Sequence, residues 1–172
     1  DKCTICRKLL SAETKEVLCD RCYSHLLKEN LCNRCGRPYK IENEGCLCCK
    51  EEEDSIVKRT IGLFPYCDHY RKAVLRWKYR GIRRYAKSYA DLFVNDLVVT
   101  AILELDAFIP VPLAPSRAKK RGFNQAKDLA REMTLLTDIP TYDCLLRTRD
   151  TKPQAECTKE QRNRKVKGSI AI

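Results

Sequence analysis

Apolar residues recur at helical spacing in two parts of the chain. From Tyr85 to Ile102 they return at i and i+4 in two neighbouring columns, which predicts an amphipathic helix. A shorter helix is predicted from Asp68, a suitable N-cap, to about Arg80, and Gly81 is placed to end it. Both segments therefore belong to a domain with a packed core.

Short apolar runs between the helices predict strands. Residues 56–66 and 107–111 are rich in β-branched and aromatic side chains, and 141–147 is a weaker candidate. A further helix is predicted around 126–133, since its apolar and charged residues lie on opposite faces. The order helix, strand, loop, helix, strand predicts an α/β fold with a Rossmann-like parallel sheet.

Charge divides the chain at about residue 57. Residues 1–57 hold 10 basic and 11 acidic residues, whereas 58–172 hold 24 basic and 12 acidic residues, so the net charges are −1 and +12. Large apolar residues are scarce in the first part and abundant in the second. The sequence thus predicts a small domain at 1–57 and a basic α/β domain at 58–172, whose excess charge favours a polyanionic partner.

Cysteine spacing predicts how the first part is held together. Four Cys-x-x-Cys pairs fall in the first 49 residues, and two such pairs supply the four thiolates of a structural zinc site. Metal would replace the missing apolar core. Two zinc ions are predicted, bound by Cys3, Cys6, Cys19, Cys22, Cys32, Cys35, Cys46 and Cys49.

The zinc assignment and its cysteine pairing have alternatives, which the sequence supports to different extents. Disulfides are disfavoured, because no apolar signal stretch precedes Cys3 and pairs at this spacing make poor disulfides. Sequential pairing is the simplest arrangement, but an interleaved cross-brace would use the same residues. Cys48 could replace a neighbouring ligand. His25 is expected to be an exposed helical histidine, since four thiolates already saturate a zinc ion.

A proline-rich segment at 109–126 carries the first candidate anion site. It reads as a strand end followed by a stiffened loop with Arg117, Lys119, Lys120 and Arg121, after which Gly122 leads into a helix. In open α/β sheets, ligands bind at the carboxyl ends of strands near helix N-termini. Four cations at this place predict binding of phosphate, pyrophosphate or a nucleic-acid backbone.

A second cationic segment lies upstream. Residues 58–90 hold ten basic residues and one acid, interleaved with aromatic residues, the mixture that single-stranded nucleic acid requires. Trp77 shares a stripe with Ala73 and Val74 and is expected in the core rather than against bases. The predicted DNA-binding residues are Arg76, Lys78, Tyr79, Arg80, Arg83, Arg84, Lys119 and Lys120.

Three function classes lack support in this sequence. Neither histidine, His25 or His69, lies beside a plausible nucleophile, so triad chemistry is not indicated. No Gly-Lys-Ser/Thr phosphate loop is present, so the chain is not itself a motor ATPase. No apolar run reaches the ~18 residues that a membrane span needs.

The segment Ile-Pro-Val-Pro-Leu…Arg-Gly-Phe-Asn-Gln-Ala at 109–126 resembles the hallmark of the ComF family. The resemblance extends to Trp-Lys-Tyr-Arg-Gly at 77–81, to the cysteine pairs, and to Arg147…Thr151…Gln154…Arg162-Asn163, so it spans essentially the whole chain. It implies a cysteine-rich zinc region joined to a type I phosphoribosyltransferase-like domain. It also implies late competence function, namely uptake of single-stranded DNA in natural transformation.

The resemblance implies partners and a place in the cell. A ComFA-type DEAD-box/helicase-like ATPase is the expected protein partner, docked through the zinc domain, and single-stranded DNA is the expected ligand. The expected location is cytoplasmic, at the inner face of the membrane near the DNA-uptake channel. The alternative function is a phosphoribosyltransferase that uses phosphoribosyl pyrophosphate with Mg²⁺ on an unknown acceptor.

The resemblance also assigns residues. Carried over by position, the phosphate or pyrophosphate site would comprise Pro112, Arg117, Arg121, Asn124 and Gln125. Gln154, Arg162 and Asn163 would belong to a mobile loop. Family members continue into an Asp-Asp-x-x-Thr-Thr-Gly loop that this chain lacks, so the sheet is expected to be incomplete. No catalytic residue is therefore assigned.

Overall fold

The computed structural model describes residues 1–11, 17–26, 31–32, 34–37, 46, 56–97, 105–150, 158, 164 and 166–172. Its internal contacts divide the chain into two compact units, Asp1–Ala73 and Val74–Ile172. The charge distribution predicts that one domain ends at residue 57 and the next begins at residue 58. This domain boundary stays a prediction.

The first unit is built from short turns rather than long elements. An antiparallel bridge joins Lys2 and Leu9, and helix α1 covers only Asp20–Tyr23. Ile5 and Leu18 are fully buried together with Cys3, which places a cysteine at the centre of this small core. Little apolar surface is buried here, so a bound metal would supply much of the stability.

The strand predicted at 56–66 is wrong, since none of these residues forms one. Ile56 is 97% exposed and Val57 is 55% exposed, so these two β-branched side chains lie largely outside the core. Leu63 is the buried member of the segment. A β-propensity run becomes a strand only when a neighbouring strand accepts its backbone hydrogen bonds.

The helices around the second unit's core largely follow the prediction. Helix α2 covers Asp68–Arg80, and α3 covers Tyr85–Leu92 before a π-helical turn at Phe93–Leu97. Residues 98–102 of the predicted helix lie outside the described ranges. None of the helices in those ranges combines the length and apolar character needed to cross a bilayer.

One parallel pairing supports the predicted sheet direction. Phe108 and Thr141 form a parallel bridge, in which the Phe108 amide donates to Pro140 and the Tyr142 amide donates to Phe108. Helix α5, Gln125–Thr137, lies between them in sequence and packs on α3. Strands β1, Leu146–Arg147, and β2, Ile170–Ala171, pair antiparallel. The described chain is therefore a mixed α and β structure.

The basic segment predicted as a loop contains a helix. Helix α4 covers Pro115–Arg121. At its end the Gly122 amide donates a hydrogen bond to the Ala118 carbonyl at 2.8 Å. Gly122 ends the helix at φ 75°, a left-handed conformation that suits glycine. Pro115 occupies the first turn, where its fixed φ favours a helix and its missing N–H is not needed.

Candidate metal centre and anion-binding pocket

The first cysteine cluster unites two tight turns. The sulfurs of Cys3, Cys6, Cys19 and Cys22 all lie within 4.8 Å of one another, and Cys6 and Cys19 are 3.7 Å apart. Tetrahedral zinc with Zn–S bonds of ~2.3 Å requires sulfur separations of about 3.8 Å. Four thiol ligands at these separations fit a structural zinc ion.

Backbone hydrogen bonds shape the two turns that carry the four cysteines. The Cys3 amide donates to the Lys8 carbonyl at 2.8 Å, and the Arg7 amide donates to the Cys3 carbonyl at 3.0 Å. Arg7 adopts φ 72°, which reverses the chain directly after Cys6. On the other side, the Cys22 amide donates to the Cys19 carbonyl at 2.8 Å, so the second pair closes on α1.

Close packing of the cysteines makes it unfavourable for more than one of them to ionise. Burial opposes ionisation of Cys3, yet backbone hydrogen bonds from Cys19, Cys6 and Ile5 outweigh it and lower the Cys3 pKa to about 7. Burial, followed by the charge of Cys3, raises the pKa of Cys22. A divalent cation would remove this conflict, because it stabilises all four thiolates together.

Tyr70 braces the cluster from α2. Its hydroxyl donates to the Cys22 carbonyl at 3.2 Å, and its ring stacks on Phe64 with centroids 5.1 Å apart. Burial, with the charges of Cys22 and Cys3 next, raises the Tyr70 pKa to about 12, so the phenol stays protonated and keeps donating. The sequence places Tyr70 among the aromatic residues of the cationic segment and does not predict this supporting role beside the cysteines.

The second cluster is partly described. Cys32, Cys35 and Cys46 have their sulfurs within 4.8 Å of one another, and Cys35 and Cys46 are 3.6 Å apart. Cys49, the predicted fourth ligand, lies outside the described residues. The grouping is the sequential one among the described cysteines.

Two further features of the first unit complete this picture. Gly36 follows Cys35 with φ 66°, and a side chain there would press on the Thr60 carbonyl oxygen at 3.0 Å, so glycine is required at this turn. His25 is exposed, as predicted, but it lies in the turn after α1 rather than in a helix. Its Nδ1 is 2.7 Å from the Arg21 carbonyl and belongs to neither cluster.

The second unit contains a cationic pocket of about 310 Å³. The ends of α2 and α4 form it, because both helices finish in basic residues followed by a left-handed glycine, Gly81 or Gly122. No acidic side chain is among the lining residues, which are Lys78, Tyr79, Gly81, Arg117, Lys120, Arg121 and Phe123.

Tyr79 is presented to solvent at the rim of this pocket. Its side chain is 72% exposed, and the Arg121 guanidinium lies 5.2 Å from the ring centroid. Burial, and next the nearby charge of Arg121, lowers the Lys78 pKa. The arrangement offers a stacking surface beside closely spaced cations.

Arg83, one of the predicted DNA-binding residues, forms an ion pair within the protein. Its guanidinium donates to both carboxylate oxygens of Asp128 at 2.8 and 2.6 Å and lies 5.7 Å from the Phe123 ring centroid. The hydrogen bonds and charge of Asp128 raise the Arg83 pKa. Arg76 likewise donates to the Tyr85 hydroxyl at 3.2 Å. These two members of the predicted DNA-binding set have partners inside the protein.

The other members of that set differ in position. Arg80, Arg84 and Lys119 are exposed, whereas Lys78 and Lys120 line the pocket together with Tyr79. Nothing in the sequence periodicity pairs Arg83 with Asp128, which lies 45 positions later. Phe123, a pocket residue, was quoted in the Arg-Gly-Phe-Asn-Gln motif but was given no role of its own.

The predicted phosphate residues are divided between two places. Arg117 and Arg121 line the pocket, while Pro112, Asn124 and Gln125 do not. Asn124 caps α5, since its side-chain oxygen accepts from the Ala126 amide at 3.0 Å and its Nδ2 donates to the Val111 carbonyl at 2.9 Å. Gln154, Arg162 and Asn163 lie outside the described residues.

Comparison with known proteins gives one informative relative. The chain is 28% identical to "Competence protein F" from Haemophilus influenzae over 176 aligned positions, which cover 99% of this chain and 76% of that protein. No family model matches the chain, and no solved structure matches it significantly. This similarity supports the assignment of the chain to the ComF family and a role in competence.

Proposed function

We propose that the chain is a DNA-uptake factor of late competence that binds single-stranded DNA through its second unit. The single observation that carries this proposal is the acid-free pocket lined by Lys78, Arg117, Lys120 and Arg121 beside the exposed ring of Tyr79. The similarity to a competence protein supports the biological setting.

The chemistry of the pocket favours single strands over duplex. A base must leave its stack to reach an aromatic side chain, and one stacked base contributes about 1–3 kcal/mol. Tyr79 is exposed enough to accept one, and Arg121 lies over its ring. Exposed Arg80, Arg84 and Lys119 lie close in sequence to pocket residues and would bind neighbouring phosphates.

Reversing the charge of two exposed arginines tests this function. Arg80→Glu combined with Arg84→Glu should weaken oligothymidine binding at least about tenfold, because each lost phosphate contact also reduces counterion release. The dependence of log affinity on log salt should become less steep by roughly 1 to 2, at ~0.7 per contact. Fluorescence anisotropy across a salt series measures both quantities.

A matched control variant distinguishes the effect of losing these particular arginines from the effect of lowering the total positive charge. Arg131 is exposed on α5 and does not line the pocket, so Arg131→Glu should change affinity only slightly. Arg83 is left unchanged in the test, because its substitution would also break the ion pair with Asp128. Unchanged affinity and an unchanged salt slope in the Arg80/Arg84 variant would retire the assignment.

The phosphoribosyltransferase-like fold belongs to the same proposal. The parallel bridge from Phe108 to Thr141, with α5 between them, is the strand–helix–strand unit that such a sheet repeats. Asn124 ties the start of α5 to the Val111 carbonyl, which fixes the loop after the first strand. This local order supports the predicted fold for residues 58–172.

A phosphoribosyltransferase activity is the alternative. Gln125 favours it, because this residue is 7% exposed at the start of α5 and its Nε2 has no hydrogen-bond partner within the described part of the chain. If the activity exists, the full-length protein should bind phosphoribosyl pyrophosphate with Mg²⁺ in calorimetry and release pyrophosphate with some acceptor. Absence of binding would count against the alternative and leave DNA binding untouched.

The zinc domain is proposed to dock the ComFA-type ATPase, at the cytoplasmic face of the membrane near the uptake channel. Residues 1–57 carry a net charge of −1, and zinc bound by four thiolates would add further negative charge. Such a surface suits a protein partner better than a DNA backbone. Arg7, Lys8 and Arg21 line a cavity beside Cys6, Cys19 and Cys22 and would offset part of that charge.

A further inference from the structure

Three of the four pocket cations lie on one face of α4. Arg117, Lys120 and Arg121 are spaced i, i+3 and i+4, so their side chains are neighbours on the helix surface. Like charges at this spacing destabilise a helix. The positive charges of these three side chains therefore repel one another on this face of α4.

Lys78 adds a fourth cation from α2. Lys78 and Arg121 line the same space, and burial, followed by the charge of Arg121, lowers the Lys78 pKa. Arg121 itself lies over Tyr79 and stays close to Lys78 and Lys120, which line the same space. A ligand that brings two negative charges to one point would relieve more of this repulsion than a singly charged group.

The size of the pocket limits what enters it. About 310 Å³ is at the small end of ligand sites and holds one nucleotide-sized group rather than a length of strand. An internal phosphodiester of DNA carries one charge. A phosphate monoester carries ≈ −1.5 to −2 at neutral pH and presents three oxygens to donors such as arginine.

We propose that this pocket binds a terminal phosphate monoester, with the end nucleotide's base against Tyr79 or Phe123. The inference rests on the proposed binding of single strands and adds the part of the strand that the pocket selects. The same chemistry is present in a free nucleoside monophosphate, so the source of the monoester is settled by the test.

Oligothymidine strands of equal length and different ends provide this test. The strands end in a 5′-phosphate, a 3′-phosphate, two hydroxyls, or a 5′-phosphate capped as its methyl ester, and their affinities are measured by anisotropy at one salt concentration. A phosphorylated end should bind about tenfold more tightly than hydroxyl ends. The methyl ester should lose most of this gain, because it removes the second charge.

Variants connect the preference to the pocket. Arg117→Gln and Arg121→Gln should each reduce the preference for phosphorylated ends, while Arg131→Gln, which removes the same charge outside the pocket, should retain it. Thymidine monophosphate is added as a competitor. Competition as strong as that of the phosphorylated strand identifies a free nucleotide as the ligand, and weaker competition identifies a strand end.

Three results would overturn the inference in different ways. Equal affinity for all four strands, with binding still lost in the Arg80/Arg84 variant, removes end recognition but keeps single-strand binding. No binding of any strand or of thymidine monophosphate removes both proposals. A preference for phosphorylated ends that survives both Arg117→Gln and Arg121→Gln would place end recognition elsewhere on the protein. It would refute the assignment of the terminal phosphate to this pocket.

Discussion

Replacing Cys22 with serine is expected to remove one of the two predicted zinc ions and to unfold the first unit. Cys22 is buried, and its sulfur lies within 4.8 Å of three other cysteine sulfurs. Structural zinc contributes about 10–16 kcal/mol of apparent binding free energy, which is comparable to or larger than the whole stability of a typical domain. The few apolar residues of this unit cannot compensate for that loss.

The measurement is metal content and unit-specific unfolding in reduced full-length protein. Cys67→Ser is the matched control, since Cys67 is exposed and belongs to neither cluster. Trp77, the single tryptophan, reports on the second unit, and its emission should stay native in both variants. Full zinc content in Cys22→Ser, or no zinc in the parent protein, would refute the metal centre.

The same variant tests where the ATPase docks. If the zinc domain is the docking site, Cys22→Ser should lose the ComFA-type ATPase in a pull-down while oligothymidine binding is preserved. Retention of the ATPase by zinc-depleted protein would move docking to the second unit. Because the two readouts depend on different units, a global folding defect would be recognised by the loss of both.

Local rules in the sequence were sufficient for the cysteine turns and the main helices. A Cys-x-x-Cys spacing constrains two sulfurs within one turn, so the grouping of Cys3 with Cys6 and of Cys19 with Cys22 required no tertiary information. The helix from Asp68 to Arg80 was likewise predicted from its stripe and its terminal glycine.

Features that depend on distant partners were missed. The segment 56–66 has strand propensity, but no strand in the described part of the chain pairs with it, and α4 was read as a loop because three prolines obscured a helix of seven residues. The Arg83–Asp128 pair joins positions 45 residues apart, a contact that only the packing of α3 on α5 defines. The cations of the pocket were predicted, but which of them converge was not.

Trp77→Ala is expected to cost the second unit about 3–5 kcal/mol of unfolding free energy. The indole is 6% exposed, as the sequence predicted for a core residue, and it meets the Tyr89 ring edge-on with centroids 5.2 Å apart. Its Nε1 has no hydrogen-bond partner among the described residues, so the ring contributes through packing. Trp77→Phe should therefore retain most of the stability.

Tyr79→Ala is the matched control two positions along the same helix. Because Tyr79 is 72% exposed, its truncation should change stability by no more than ~0.5 kcal/mol while weakening oligothymidine binding. Trp77→Phe should show the reverse, a modest loss of stability with unchanged affinity. Denaturant unfolding followed by circular dichroism, with anisotropy on the same samples, separates the two roles. If Trp77→Ala weakened DNA binding with stability intact, the indole would belong to the interface and not to the core.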